Sequence, residues 1–171
     1  MSLTLLDDPN FLEFYVTAKK NTYAAGGDEK AQVLRNGGKR YVFYDGERWP
    51  QWRYVDIYHG YNPFFGNETI DSTTPSVWTP IARMSYNGSA TGAPDKIKAI
   101  FDLLRKRSLY EIFALSVSSG EKAEGTVLED DLEYSFEWER TGVFCARGEK
   151  HIRTSSKTSW CDVYFQFSTL C

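Results

Sequence analysis

Histidine is nearly missing from this sequence: His59 and His151 are the only two, far apart and in no His-x-x-x-His pair. Cysteine is equally sparse, with Cys145, Cys161 and Cys171 and no Cys-x-x-Cys spacing. An ordinary zinc site is therefore not expected, nor is any other metal or cofactor. An odd cysteine count in a chain of this length also argues against a disulfide scaffold. No apolar run approaches the ~18 residues that a membrane span needs. No basic stretch followed by an apolar one marks a leader peptide, so a cytoplasmic protein with free thiols is expected. Charge is not one-sided, with 20 Lys and Arg against 23 Asp and Glu. That near balance lacks the basic footprint of a nucleic-acid binder. Catalytic signatures are missing as well. Gly120-Glu-Lys-Ala-Glu-Gly125 lacks the Lys and Ser/Thr of a phosphate loop, and Gly88-Ser89-Ala-Thr-Gly92 is misspaced for a nucleophile elbow. No catalytic residue is assigned from any such motif.

Aromatic rings, in contrast, make up 16% of the 171 residues, a composition suited to broad sheets and ring-lined clefts. The length fits a single domain, 1–171, with enough chain to bury a substantial core.

Two segments carry helix signals. Asp8 can cap, Pro9 suits the first turn, and Phe11, Phe14, Tyr15 and Ala18 fall on one stripe. Pro94 opens the second, in which Ile97, Ile100, Phe101 and Leu104 repeat the spacing. Arg105, Lys106 and Arg107 are then expected to close it, where cations favour the helix C-terminus. Leu109 to Leu115 reads either as more helix or as a strand. Alternating stretches over 40–44, 52–58, 64–71 and 77–86, and again over 132–139, 143–153 and 159–167, read as antiparallel strands. The Gly-, Ser-, Glu- and Asp-rich stretch 116–131 reads as a solvated loop.

A single shift of the sequence superposes Gly60 on Gly142, Gly66 on Gly148, Ile70 on Ile152 and Trp78 on Trp160. The expected fold is therefore α+β, with two tandem helix-plus-antiparallel-meander repeats, 8–88 and 94–168, forming one domain. On that alignment Trp78 and Trp160 are matching core anchors, and Asp56 corresponds to Trp138.

Asp56 is the informative residue. It shares one strand face with Trp52, Tyr54 and Tyr58, with Glu68 on the next strand and Arg83 and Tyr86 on the one after. A carboxylate among rings needs a partner or water. Two readings stand: an ion pair of Asp56 with Arg83, or an open aromatic cleft binding a cationic or sugar-like small molecule through Trp52, Tyr54, Asp56, Tyr58, Glu68, Arg83 and Tyr86. Val55 and Ile57, on the opposite face, suggest an apolar patch for a homodimer.

Phe11-Leu-Glu-Phe14, Ala18-Lys-Lys-Asn-Thr-Tyr-Ala-Ala-Gly-Gly27, the Tyr-x-Asp-x-Tyr-x-Gly strand at 54–60, Phe-x-Gly-x-Glu near 64–68 and Val-Trp…Met-x-Tyr-x-Gly at 77–88 together carry a resemblance. They resemble a bacterial family of uncharacterised domains found alone or C-terminal to Xre-type helix-turn-helix domains. The likeness is clearest over 11–88. It implies a sensor or binding domain and supplies no catalytic residues. The expected function is thus non-enzymatic binding of a small molecule or partner. The alternatives are a small hydrolase using Asp56 and Glu68, or an oligomerisation subunit.

Overall fold

The computed structural model describes residues 5, 8–22, 24, 31–74, 77–117, 122–142 and 145–169. Cys171, the first two residues of the Gly120 motif, Val143 and the Ala25–Gly27 run lie outside them.

Helix α1 (Pro9–Asn21) starts as its sequence suggests: the Asp8 carboxylate accepts from the Asn10 amide at 2.9 Å, with Pro9 in the first turn. Thr22 ends it, its hydroxyl donating to the Ala18 carbonyl at 2.7 Å. Four strands follow as a meander, β2 (Lys39–Tyr44), β3 (Trp52–Gly60), β4 (Phe64–Thr74) and β5 (Val77–Thr91), with a two-residue β1 (Gln32–Val33) at the outer edge. Helix α2 (Pro94–Val117) leads into a second meander, β6 (Lys122–Glu129), β7 (Leu132–Gly142), β8 (Cys145–Thr154) and β9 (Trp160–Thr169). The meanders join through β5 and β9 into one antiparallel sheet in the order β1-β2-β3-β4-β5-β9-β8-β7-β6.

Both helices lie on one face of this sheet. Phe11, Phe14, Tyr15 and Ala18 of α1 pack on Trp49, Trp52, Tyr54 and Ile70, and Ile100, Phe101, Leu103 and Leu104 of α2 pack on Tyr134, Ile152, Cys161 and Val163. Among the described residues the other face carries no helix. No helix among the described residues is long and apolar enough to cross a membrane.

Three expectations need correction. The stretch 116–131 is not a loop: α2 runs on to Val117, and 122–129 form edge strand β6. Its charges disguised it, yet an edge strand tolerates and even favours them. Lys106 and Arg107 do not close α2 either. Each meets Glu129 at the end of β6 at 2.5 Å, and Lys96 meets Asp131 at 2.7 Å, tying helix to edge.

The third correction concerns register. Gly66 lies opposite Tyr58 and Tyr86, whereas Gly148 lies opposite Trp138 and Phe165. With Gly66 set on Gly148, Asp56 falls on Phe136 rather than Trp138, and Trp160 falls on Pro80 rather than Trp78. Irregular pairing at Ile70/Asp71 and at Arg140/Gly142 shifts the hairpins so that no single offset survives.

Trp78 and Trp160 are accordingly not core anchors. Trp160 is 40% exposed, and half-buried Trp78 packs on Tyr44 and under the Arg53 guanidinium on the helix-free face. Trp49, Trp52 and Trp138 are the buried ones. In denaturant titrations, Trp138→Ala should cost ~3–5 kcal/mol, whereas Trp160→Ala should cost less than ~1 kcal/mol. Equal losses at both positions would contradict this assignment.

Candidate functional site

Alternation along β3 and β4 turns Asp56 and Glu68 to the covered face, and the ladder sets them opposite each other. Both are sealed, Asp56 at 0% and Glu68 at 4% exposure. The Glu68 carboxylate accepts from the Lys19 ammonium through Oε1 and from the Tyr15 hydroxyl through Oε2, each at 2.6 Å. Asp56 Oδ1 accepts from the Tyr86 hydroxyl at 2.8 Å, while Oδ2 has no hydrogen-bond partner.

One ammonium thus faces two carboxyls. Burial, and then the Glu68 charge, push the Asp56 carboxyl up to about 8, against the opposing pull of the Tyr86 hydrogen bond and the Lys19 charge. Burial thus favours the protonated form of Asp56 beside the Lys19–Glu68 ion pair. The neighbouring Tyr54 phenol is also raised, by burial and by the charges on Glu68 and Asp56.

This arrangement overturns both sequence readings of Asp56. It lines no open cleft, and Arg83 is not its partner. Arg83 lies exposed on the helix-free face, opposite Thr69 and Ser168. Trp52 and Tyr54 belong to the core beneath α1, Trp52 packing edge-on against Phe11 at 5.4 Å. Of the seven expected site residues, Asp56, Glu68 and Tyr86 form the buried network, and Tyr58 and Tyr86 reach a cavity. Val55 is itself buried and Ile57 half-buried, which leaves Val42 as the exposed apolar side chain beside them.

That cavity, about 120 Å³, opens between α2 and strands β2–β4. Tyr41 and Tyr58 stack along one wall, their centroids 6.0 Å apart and their planes 12° apart. Phe101 from α2 supplies the other wall, with Tyr61 and Phe64 edge-on to it at 5.0 and 5.6 Å. Lys39, whose ammonium sits over the Tyr58 ring, and Arg105 are its charged lining residues; no carboxylate lines it. Behind it lies a chamber of about 30 Å³, bounded by Lys19, Glu68 and Lys150 and sharing Phe64, Tyr86 and Leu104 with the outer cavity. Such a volume admits about one water.

Tyr15, Lys19, Lys39, Phe101 and Arg105 were not among the expected site residues. For Lys19 a signal existed: it follows Tyr15 by four residues and Phe11 by eight, on the stripe that packs down. Arg105 and Phe101 project from α2, which packs over the second meander, and only the tertiary fold brings its flank to Tyr61 and Phe64. Comparisons with protein-family models, with curated proteins and with solved structures returned no match.

The network makes stability depend on pH with a definite sign. A carboxyl raised in the folded state stabilises most below its unfolded value near 3.8, and that contribution is lost as pH rises towards about 8. Asp56→Asn, which cannot ionise, should lose this dependence. It should gain on the parent protein between pH 5 and pH 8 by about 1 kcal/mol or more, read as the change in unfolding midpoint. A difference that stays constant across this range would show that Asp56 is ionised throughout.

Proposed function

We propose that the protein is a non-enzymatic small-molecule-binding domain whose ligand sits in the ring-lined cavity between α2 and β2–β4. The observation that carries this reading is that Tyr86 forms part of the cavity wall while its hydroxyl holds the buried Asp56 carboxyl. A ligand that moves Tyr86 changes what Asp56 experiences, and through Glu68 and Lys19 that change reaches α1. Such coupling suits a sensor domain. A dry apolar cavity of ~150 Å³ accommodates benzene, so about 120 Å³ suits one flat ring. With Lys39 and the Arg105–Asp102 ion pair at its border, a neutral ring compound fits better than the cationic ligand expected from Asp56.

The resemblance to the bacterial domain family points to the same place. Lys19, Asp56, Tyr58, Phe64, Glu68 and Tyr86 belong to the segments that carry it, and they surround the cavity and the network behind it. The hydrolase alternative has no comparable support, because both of its carboxylates are sealed from any substrate. The tandem-repeat reading belongs to this proposal too. In its favour, each helix precedes a four-strand meander, and Gly66 and Gly148 both lie against a ring of the following strand, Tyr86 or Phe165.

Thermal-shift titrations with phenol and benzylamine test the proposal. Phenol should raise the unfolding temperature and benzylamine should not, since only binding to the native state stabilises. Tyr61→Ala, at a 65% exposed position, should keep the fold and weaken the shift. No shift with phenol, or a shift that Tyr61→Ala leaves untouched, would overturn the reading.

A further inference from the structure

The helix-free face holds a second feature: a groove of about 640 Å³ across the middle of the sheet, centred where β5 meets β9. The ladders fix its layout. One row runs Phe65, Asn87, Tyr164, Glu149 and Glu137 over five adjacent strands; beside it run Asn67, Ser85, Gln166, Arg147 and Glu139.

Each row contributes something distinct. Phe65 and Tyr164 are large rings left 55% and 50% exposed at the centre of a sheet, two strand spacings (about 10 Å) apart with a carboxamide between them. Phe65 is fixed by stacking on His59, 5.3 Å between centroids and 11° between planes, so its free side forms a prepared platform. Asn87 and Gln166 each offer both donors and an acceptor, and Asn67, whose Oδ1 accepts from the Ser85 hydroxyl at 2.8 Å, offers its donors. Glu137 and Glu149 face each other directly across β7 and β8, a like-charged pairing that costs stability, with the His151 ring 3.5 Å from the Glu149 carboxylate.

We propose that this groove binds an uncharged oligosaccharide laid across the strands, with two sugar rings resting on Phe65 and Tyr164. Its hydroxyls exchange hydrogen bonds with the carboxamides and donate to Glu137 and Glu149. A saccharide uses every part of this lining: apolar ring faces, mixed donors and acceptors, and spare carboxylate lone pairs. A cationic peptide would place charge beside Arg147 in the second row, which an uncharged saccharide does not. The groove and the cavity beneath α2 open on opposite faces of the sheet, with Tyr86 bordering both.

The test is amide-resolved NMR titration with cellohexaose, xylohexaose, chitohexaose and maltoheptaose, and separately with hexalysine. At least one oligosaccharide should shift the amides of Ser85, Asn87 and Gln166. Tyr164→Ala and Phe65→Ala, both at exposed positions, should each weaken that binding by about fivefold or more, while Tyr61→Ala on the other face leaves it unchanged. The proposal is overturned if none of the four saccharides shifts these amides, if hexalysine does so and they do not, or if both ring variants bind as well as the parent.

Discussion

Two carboxyl groups placed opposite each other on neighbouring strands, under a helix that offers one ammonium, constrain this fold more than any other pairing in it. Asp56 and Glu68 cannot both be charged there against Lys19 alone without a cost in stability. Glu68 is paired with Lys19, and burial beside Glu68 pushes the Asp56 carboxyl towards its protonated form, its Oδ1 accepting from Tyr86. From this the rest of the first half follows. Lys19 and Tyr15 reach Glu68 only if α1 lies with one particular stripe on the sheet, so the polar contacts select the helix rotation that its apolar residues also favour. Tyr86 reaches Asp56 across Gly66, where a Cβ would sit 2.4 Å from its hydroxyl. The glycine is thus required by the close passage of a ring.

The seam between β5 and β9 carries the same principle into the second half. Tyr86 and Phe165 lie opposite each other there, and Phe165 passes over Gly148 as Tyr86 passes over Gly66. Lys150 occupies the position beside Gly148 that Glu68 occupies beside Gly66, and its ammonium rests over the Phe165 ring at 5.1 Å. One half carries buried acids and the other a buried base, with the small inner chamber between them. The covered face is therefore the electrostatically organised one. The open face, lacking helices, displays amides and exposed rings.

Much of this was legible in the sequence, and the failures have physical causes. Asp8-Pro9 and the stripe through Ala18 located α1, and alternation located seven of the strands, because both signals are local. Strand β6 escaped because charges at an edge look like charges in a loop. The inner face of β3 was read correctly from Trp52, Tyr54, Asp56 and Tyr58. What covers it was not legible, since nothing local says that α1 seals Asp56 while α2 leaves Tyr58 at a cavity. The paired tryptophans misled because two hairpins of unequal register separate Trp78 from the position Trp160 matches. Arg83 misled through parity: it lies one residue from Ala82 and Met84, which face the helices, and so points away from Asp56.

The protonation state of Asp56 supports both the reading of the network and its link to the cavity through Tyr86. Carbon-13 NMR of the side-chain carboxyl, followed from pH 3 to pH 10, measures it directly. The Asp56 resonance should titrate near 8. An Asp56 resonance that titrates near the ordinary aspartate value of 3.8 would contradict the account, because the carboxyl would then be charged and its partner unidentified.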